Sequence, residues 1–143
     1  MEKKELKNLS EGQRKNFLYA KSVYDKGDSE YAILLLNGLL KKEPAFVEGR
    51  ILLRNIERAK SASISSFGKV ISDVKVSMRV MKGKSKLGKE PEAAMDIAEE
   101  ALAMNIKSIP ALNLLSEAAE KAGVLLVAIE AMELVKEFYP DNE

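Results

Sequence analysis

Apolar residues recur along this chain at intervals of three and four, and no stretch alternates with period two for long. That pattern predicts helices almost throughout. A first helix is expected over residues 11–26, with Ser10 as N-cap and Gly27 as its stop, burying Phe17 or Leu18, Ala20, Val23 and Tyr24. A second spans residues 29–42 and ends before Pro44, carrying the stripe Ile33, Leu36, Leu39 and Leu40. A third covers residues 46–60, with Val47, Leu52 or Leu53, and Ile56 inward. Residues 61–68 are then Ser-rich and read as a linker or an irregular repeat, because serine bonds its own backbone and competes with helix. Beyond it, Phe67, Val70, Ile71, Val74, Met78 and Met81 share one face, predicting a helix of about four turns that reaches Lys82. Residues 84–88 either continue it or form a long turn. Next comes a helix opening at Pro91 with Ala94, Ala98, Ala101 and Leu102 inward. Two more follow, one burying Leu112, Leu115 and Ala119, the other Ala128, Met132 and Val135. Met78, Met81, Met95, Met104 and Met132 are all spaced as core residues.

One spacing occurs twice. Gly27 is followed at five, four, three and five residues by Ala32, Leu36, Leu39 and Pro44, and Gly123 at the same intervals by Ala128, Met132, Val135 and Pro140. A small residue lies seven positions before each glycine, at Ala20 and Ser116. The pattern resembles the tetratricopeptide repeat, a helix–turn–helix unit of about 34 residues. The resemblance implies an all-α, right-handed helical-repeat superhelix of about seven helices, in which Ala20 faces Ala32 and Ser116 faces Ala128 at close crossings. Repeats would start at Gln13, Val47, Lys75 and Ile109, the second being short at 28 residues. In the third, Lys82 takes the expected small position, with Gly83 beside it. The divisions are then residues 1–60, a repeat unit plus one helix; 61–68, the linker; and 69–143, two further units. Members of this family hold ligands on the concave face of each repeat's first helix. That face would carry Arg14, Phe17, Lys21 and Tyr24, then Ile51, Asn55 and Arg58, then Arg79 and Lys86, and last Asn113, Glu117 and Glu120. The Lys/Asn carboxylate clamp of the chaperone-tail-binding members is not reproduced, since Phe17 and Lys21 occupy its first-helix positions.

Charge sharpens this picture. A net charge of +1 conceals 19 basic against 10 acidic residues over 1–88, and 4 against 12 over 89–143. Residues 58–89 hold nine basic side chains and the single acid Asp73. Such segregation points to an electrostatic partner surface, here for an acidic protein or peptide segment. The alternative is nucleic acid bound by the basic stretch 69–89, although base-stacking aromatics are lacking there. The final helix is apolar on more than one side, at Leu125, Leu126, Ala128, Ile129, Leu134 and Val135. Either the array continues or that face pairs with a second copy, so self-association is expected.

Candidate chemistry changes little. The chain has no Cys and no His, which removes thiolate chemistry, the commonest general base and the commonest transition-metal ligand. Gly83-Lys84-Ser85 lacks the earlier glycine of a phosphate loop, since Met78 stands there. Asp25-Lys26-Gly27-Asp28 lacks the rest of a calcium loop and reads as a helix end. Glu99, Glu100, Glu130, Glu133 and Glu137 read as solvated helix faces. No cofactor, metal or catalytic residue is therefore expected. The charged start at residues 1–5 reads as a helix beginning without a signal peptide, and no apolar run approaches the roughly 20 residues of a membrane span. A cytoplasmic, non-catalytic interaction scaffold is the expectation.

Overall fold

The structure, a computed structural model, describes residues 2–141. It is all-α, with a short 3-10 helix at Leu6–Asn8 and seven α-helices: α1 (Glu11–Asp25), α2 (Ser29–Lys42), α3 (Val47–Ser63), α4 (Ser66–Lys86), α5 (Pro91–Met104), α6 (Ile109–Ala122) and α7 (Leu125–Phe138). They fall into two compact units, Glu2–Ala62 and the chain from Ser63 onward.

Local chemistry sets the boundaries. Ser10 caps α1 reciprocally: its Oγ accepts from the Gln13 amide at 3.2 Å, and its own amide donates to Gln13 Oε1 at 3.1 Å. Asp28, Ser65 and Ser108 accept in the same way from the third residue of α2, α4 and α6. Gly27 and Gly123 are the two described residues with positive φ, at 96° and 79°. After each, an amide reaches back five residues, Asp28 to the Val23 carbonyl at 3.2 Å and Val124 to the Ala119 carbonyl at 2.8 Å. The twice-repeated spacing thus corresponds to one turn geometry used twice.

In the first unit, α1 and α2 pack as a hairpin around Ala20, Val23, Ala32, Ile33, Leu36 and Leu40. Phe46, fully buried, meets Phe17 edge-on at 5.0 Å between centroids. Gly49 on α3 lies where a Cβ would come within 2.6 Å of the Phe46 ring, so that ring packs directly on backbone. Leu53 takes the inward position, Leu52 and Tyr24 being half-buried. Arg54 and Glu57 form a buried ion pair at 2.8 Å within α3.

The charged start is not a helix beginning. Lys4 is extended and bridges Phe46, its amide donating to the Ala45 carbonyl at 2.9 Å while the Val47 amide donates to its own carbonyl at 3.0 Å. Lys4 Nζ also pairs with Glu43 at 2.8 Å, and the Leu6 amide donates to Glu48 at 2.8 Å. These bonds tie the segment to the α2–α3 turn, a long-range pairing that no local pattern reveals.

In the second unit, α4 packs on α5, α5 on α6 and α6 on α7, and α4 also touches α6. The core includes Val76, Val80, Ala94, Ala98, Leu102, Leu112, Leu115, Val127 and Leu134. Ala94, Ala98 and Ala101 are fully buried, so α5 lies close against its neighbours.

Two expectations are corrected here and one alternative is decided. The Ser-rich segment is helical through Ser63, and only Ile64 and Ser65 break the helix, because Ser65 turns to cap α4. Of the two courses expected past Lys82, the helix takes the continuing one, 21 residues long and ending at Lys86. Most consequential, the face Phe67, Val70, Ile71, Val74, Met78 and Met81 is exposed. The buried side of α4 is instead Val76, Val80 and Gly83. Of the five methionines expected in the core, Met95 is buried and Met104 partly so, while Met78, Met81 and Met132 face outward.

Candidate interaction surfaces

Helix α4 has two apolar sides. At 100° per residue, Val76, Val80 and Gly83 lie within about 60° of one another, and the six exposed residues occupy an arc of about 100° opposite them. The buried side reaches its neighbours closely because position 83 carries no side chain: a Cβ there would collide with Leu114 and press Ile97 at 3.3 Å. Gly83, not Lys82, is therefore the small position of this crossing. The opposite side stands uncovered, with Phe67 76% and Met81 72% exposed. Lys75 and Lys82 flank it on one shoulder and Lys84 on the other, all exposed. Across α4 there are six basic residues and one acid, Asp73.

A second surface lies along α6 and α7. Leu125, Ile129 and Met132 are 60%, 58% and 50% exposed and follow one another at four and three residues. With Ser116 and Ala128 they line a shallow groove of about 450 Å³, edged by Glu120, Glu133 and Lys136. Ser116, half-buried, and Ala128, 9% exposed, lie together at the floor of this groove.

A cleft of about 510 Å³ separates α4 from the turn before α6. Its walls are already bonded to each other. Asn105 donates to Asp73 at 3.0 Å, the Tyr139 hydroxyl donates to the Lys107 carbonyl at 2.8 Å, and Lys107 Nζ lies 5.8 Å from the Phe138 ring centroid. In the first unit, Tyr19 and Tyr31 form an exposed edge-on pair at 6.2 Å, and hydrogen bonding to Tyr19 pushes the Tyr31 hydroxyl pKa up.

The residues expected on a concave face divide by what already holds them. Phe17 is the buried one of the Phe17/Leu18 pair, Leu18 being 54% exposed, and its place on a concave face is corrected: locked against Phe46, it is core and cannot meet a ligand. Arg14 donates to the Leu9 carbonyl at 2.8 Å, which makes it a clamp on the start of α1. Tyr24 is half-buried, while Lys21 and Ile51 are exposed. Arg58 donates to Asn55 at 3.1 Å. In the second unit Arg79 pairs with Glu100 on α5, and Lys86 with Glu90 at 3.1 Å. Asn113, Glu117 and Glu120 are exposed on α6.

The sequence shows the α4 stripe as one face and reads its Met78 and Met81 as core; the second set, Val76, Val80 and Gly83, on the reverse side is the signal that the stripe is not the buried face. No helix is long and apolar enough to cross a membrane among the described residues, and none of their acidic groups cluster so as to hold a metal. Compared with protein-family models, with curated proteins and with solved structures, this chain matches none of them.

Proposed function

We propose that this chain is a non-catalytic helical-repeat scaffold of tetratricopeptide type that binds an acidic, partly apolar segment of a protein partner. The observation that carries this reading is the uncovered side of α4, six large apolar residues rimmed by lysines. Exposing so much contiguous apolar surface is unfavourable unless a partner covers it, and the lysine rim selects for acidic flanks. The repeated turn at Gly27 and Gly123, and the packing of α4 on both α5 and α6, support the repeat architecture. The docking face moves from the concave set inferred from spacing to α4, because Phe17 is core and Arg14, Arg58, Arg79 and Lys86 already have partners within the chain.

The nucleic-acid alternative uses the same lysines. It is less well supported, since phosphate contacts need no hydrophobic stripe between them. Capture by the tagged chain from lysate of the source cells, with and without nuclease, separates the two. Nuclease-resistant protein capture that is lost in Lys75→Glu/Lys82→Glu is the expected result. Capture that vanishes with nuclease would put nucleic acid first, and capture indifferent to the double substitution would remove α4 as the docking face.

A further inference from the structure

The two uncovered apolar surfaces of the second unit complement each other. On α4, Val74, Met78 and Met81 are spaced four and three residues apart; on α7, Leu125, Ile129 and Met132 have the same spacing. Both runs therefore present a seam of about 10 Å at the helical rise. Lys75, Lys82 and Lys84 flank the first, and Glu120, Glu133 and Lys136 edge the second, which leaves the groove rim acidic on balance. The helices differ in sign as a whole: α4 carries six basic residues and one acid, whereas α6 and α7 together carry five acids and two lysines.

From this we infer that α4 of one copy docks in the α6–α7 groove of a second copy, making a head-to-tail contact. The alternatives within a homo-oligomer are worse. Pairing α4 with α4 would set lysine rims against each other, and pairing α7 with α7 would oppose two rims of Glu120 and Glu133 with one Lys136 each, so both set like net charge against like. The crossed arrangement covers both apolar seams in one contact and sets the basic rim of α4 against the net acidic rim of the groove. Ala128 and Ser116 form a floor low enough to admit a helix ridge, and the unbranched Met78 and Met81 adapt to it. Because each copy keeps one donor and one acceptor surface free, the contact is heterologous and generates open chains or rings. A single helix in one groove lies at the small end of interface sizes, so dissociation constants on the order of micromolar are expected.

This inference rests on the scaffold reading and names the acidic, apolar segment as the chain's own α6–α7 surface. The test is sedimentation of the full chain with two surface variants, Val74→Glu/Met78→Glu and Ile129→Lys/Met132→Lys. The parent should grow beyond a dimer with concentration, and shrink as salt rises from about 0.05 to 0.5 M. Each variant alone should associate at least about 100-fold more weakly, with unchanged helical circular dichroism. Mixed, the two should form a 1:1 dimer and nothing larger, because one supplies an intact groove and the other an intact α4. A parent that stays monomeric to about 1 mM, a variant that alone retains the parent's dimer, or a mixture that does not associate would each overturn the head-to-tail contact. A monomeric parent that still captures a different protein through Lys75 and Lys82 would leave the scaffold reading standing, so the two ideas fail separately.

Discussion

Glu43 is held by two donors from the beginning of the chain, Lys4 Nζ at 2.8 Å and Gln13 Nε2 at 3.3 Å. The Lys4 contact is the main reason its pKa is lowered from the ordinary value; burial opposes it, and the Gln13 amide adds a lesser lowering. A carboxylate whose folded pKa is depressed contributes stability above its unfolded pKa, and loses it as pH falls through the folded value. Glu43→Gln should therefore lower Tm at pH 7, with the difference from the parent narrowing once pH drops below about 4. A Tm difference that is constant from pH 7 to about 3 would show that the anchor does not depend on this charge. The residues involved are separated by up to about 40 positions, and nothing in the run Met1-Glu2-Lys3-Lys4-Glu5 marks Lys4 as the one that pairs. Arg54 and Glu57 make the same point. By spacing they are an ordinary exposed helix pair, and only the packing around α3 makes them a buried one.

Helices here were legible in proportion to how local their determinants are. Capping by Ser10, Asp28 and Ser108, and the left-handed turns at Gly27 and Gly123, depend on neighbours within five residues, and α1 and α2 begin and end within a residue of expectation. The face of α4 was not legible, because a helix with apolar residues on two opposite sides gives no local reason to prefer one. The close crossing decides it, as Gly83 is where α4 can approach Leu114 and Ile97. Gly83→Val should cost about 1–3 kcal/mol by overpacking a buried crossing, and Ala32→Trp, at a fully buried site, at least as much. Ala128→Trp should also be costly, but less so, since Ala128 is buried less completely than Ala32 and lies at the floor of a groove. Chemical denaturation with all three variants checks the order; an Ala128→Trp cost equal to that of Ala32→Trp would mean the groove is closed in solution.

At the scale of the molecule, the two compact units differ in what they can sustain alone. The unit from Ser63 onward has a continuous core running from Val76 to Val135. The Glu2–Ala62 unit is a 61-residue body, near the size where buried area barely offsets chain entropy. Expressed separately, residues 63–143 should be helical and melt cooperatively, and residues 2–62 should melt lower and more broadly. Circular dichroism of both fragments checks this, and a fragment 63–143 without cooperative unfolding would show that its core depends on the first unit.

What the amino-acid order determined by itself was the all-helical class, the places where helices start and stop, and the recurrence of one turn at Gly27 and Gly123. Those follow from caps, from glycine's access to positive φ and from apolar period, all acting within a turn or two of chain. What only the tertiary structure decided was which side of a helix is inside. Phe17 became core through Phe46, 29 residues away, and Phe67, Val74 and Met81 became surface because Val76, Val80 and Gly83 fit their neighbours more closely. Burial is a property of pairs of elements, so a stripe of hydrophobic residues announces that it needs covering without saying what will cover it.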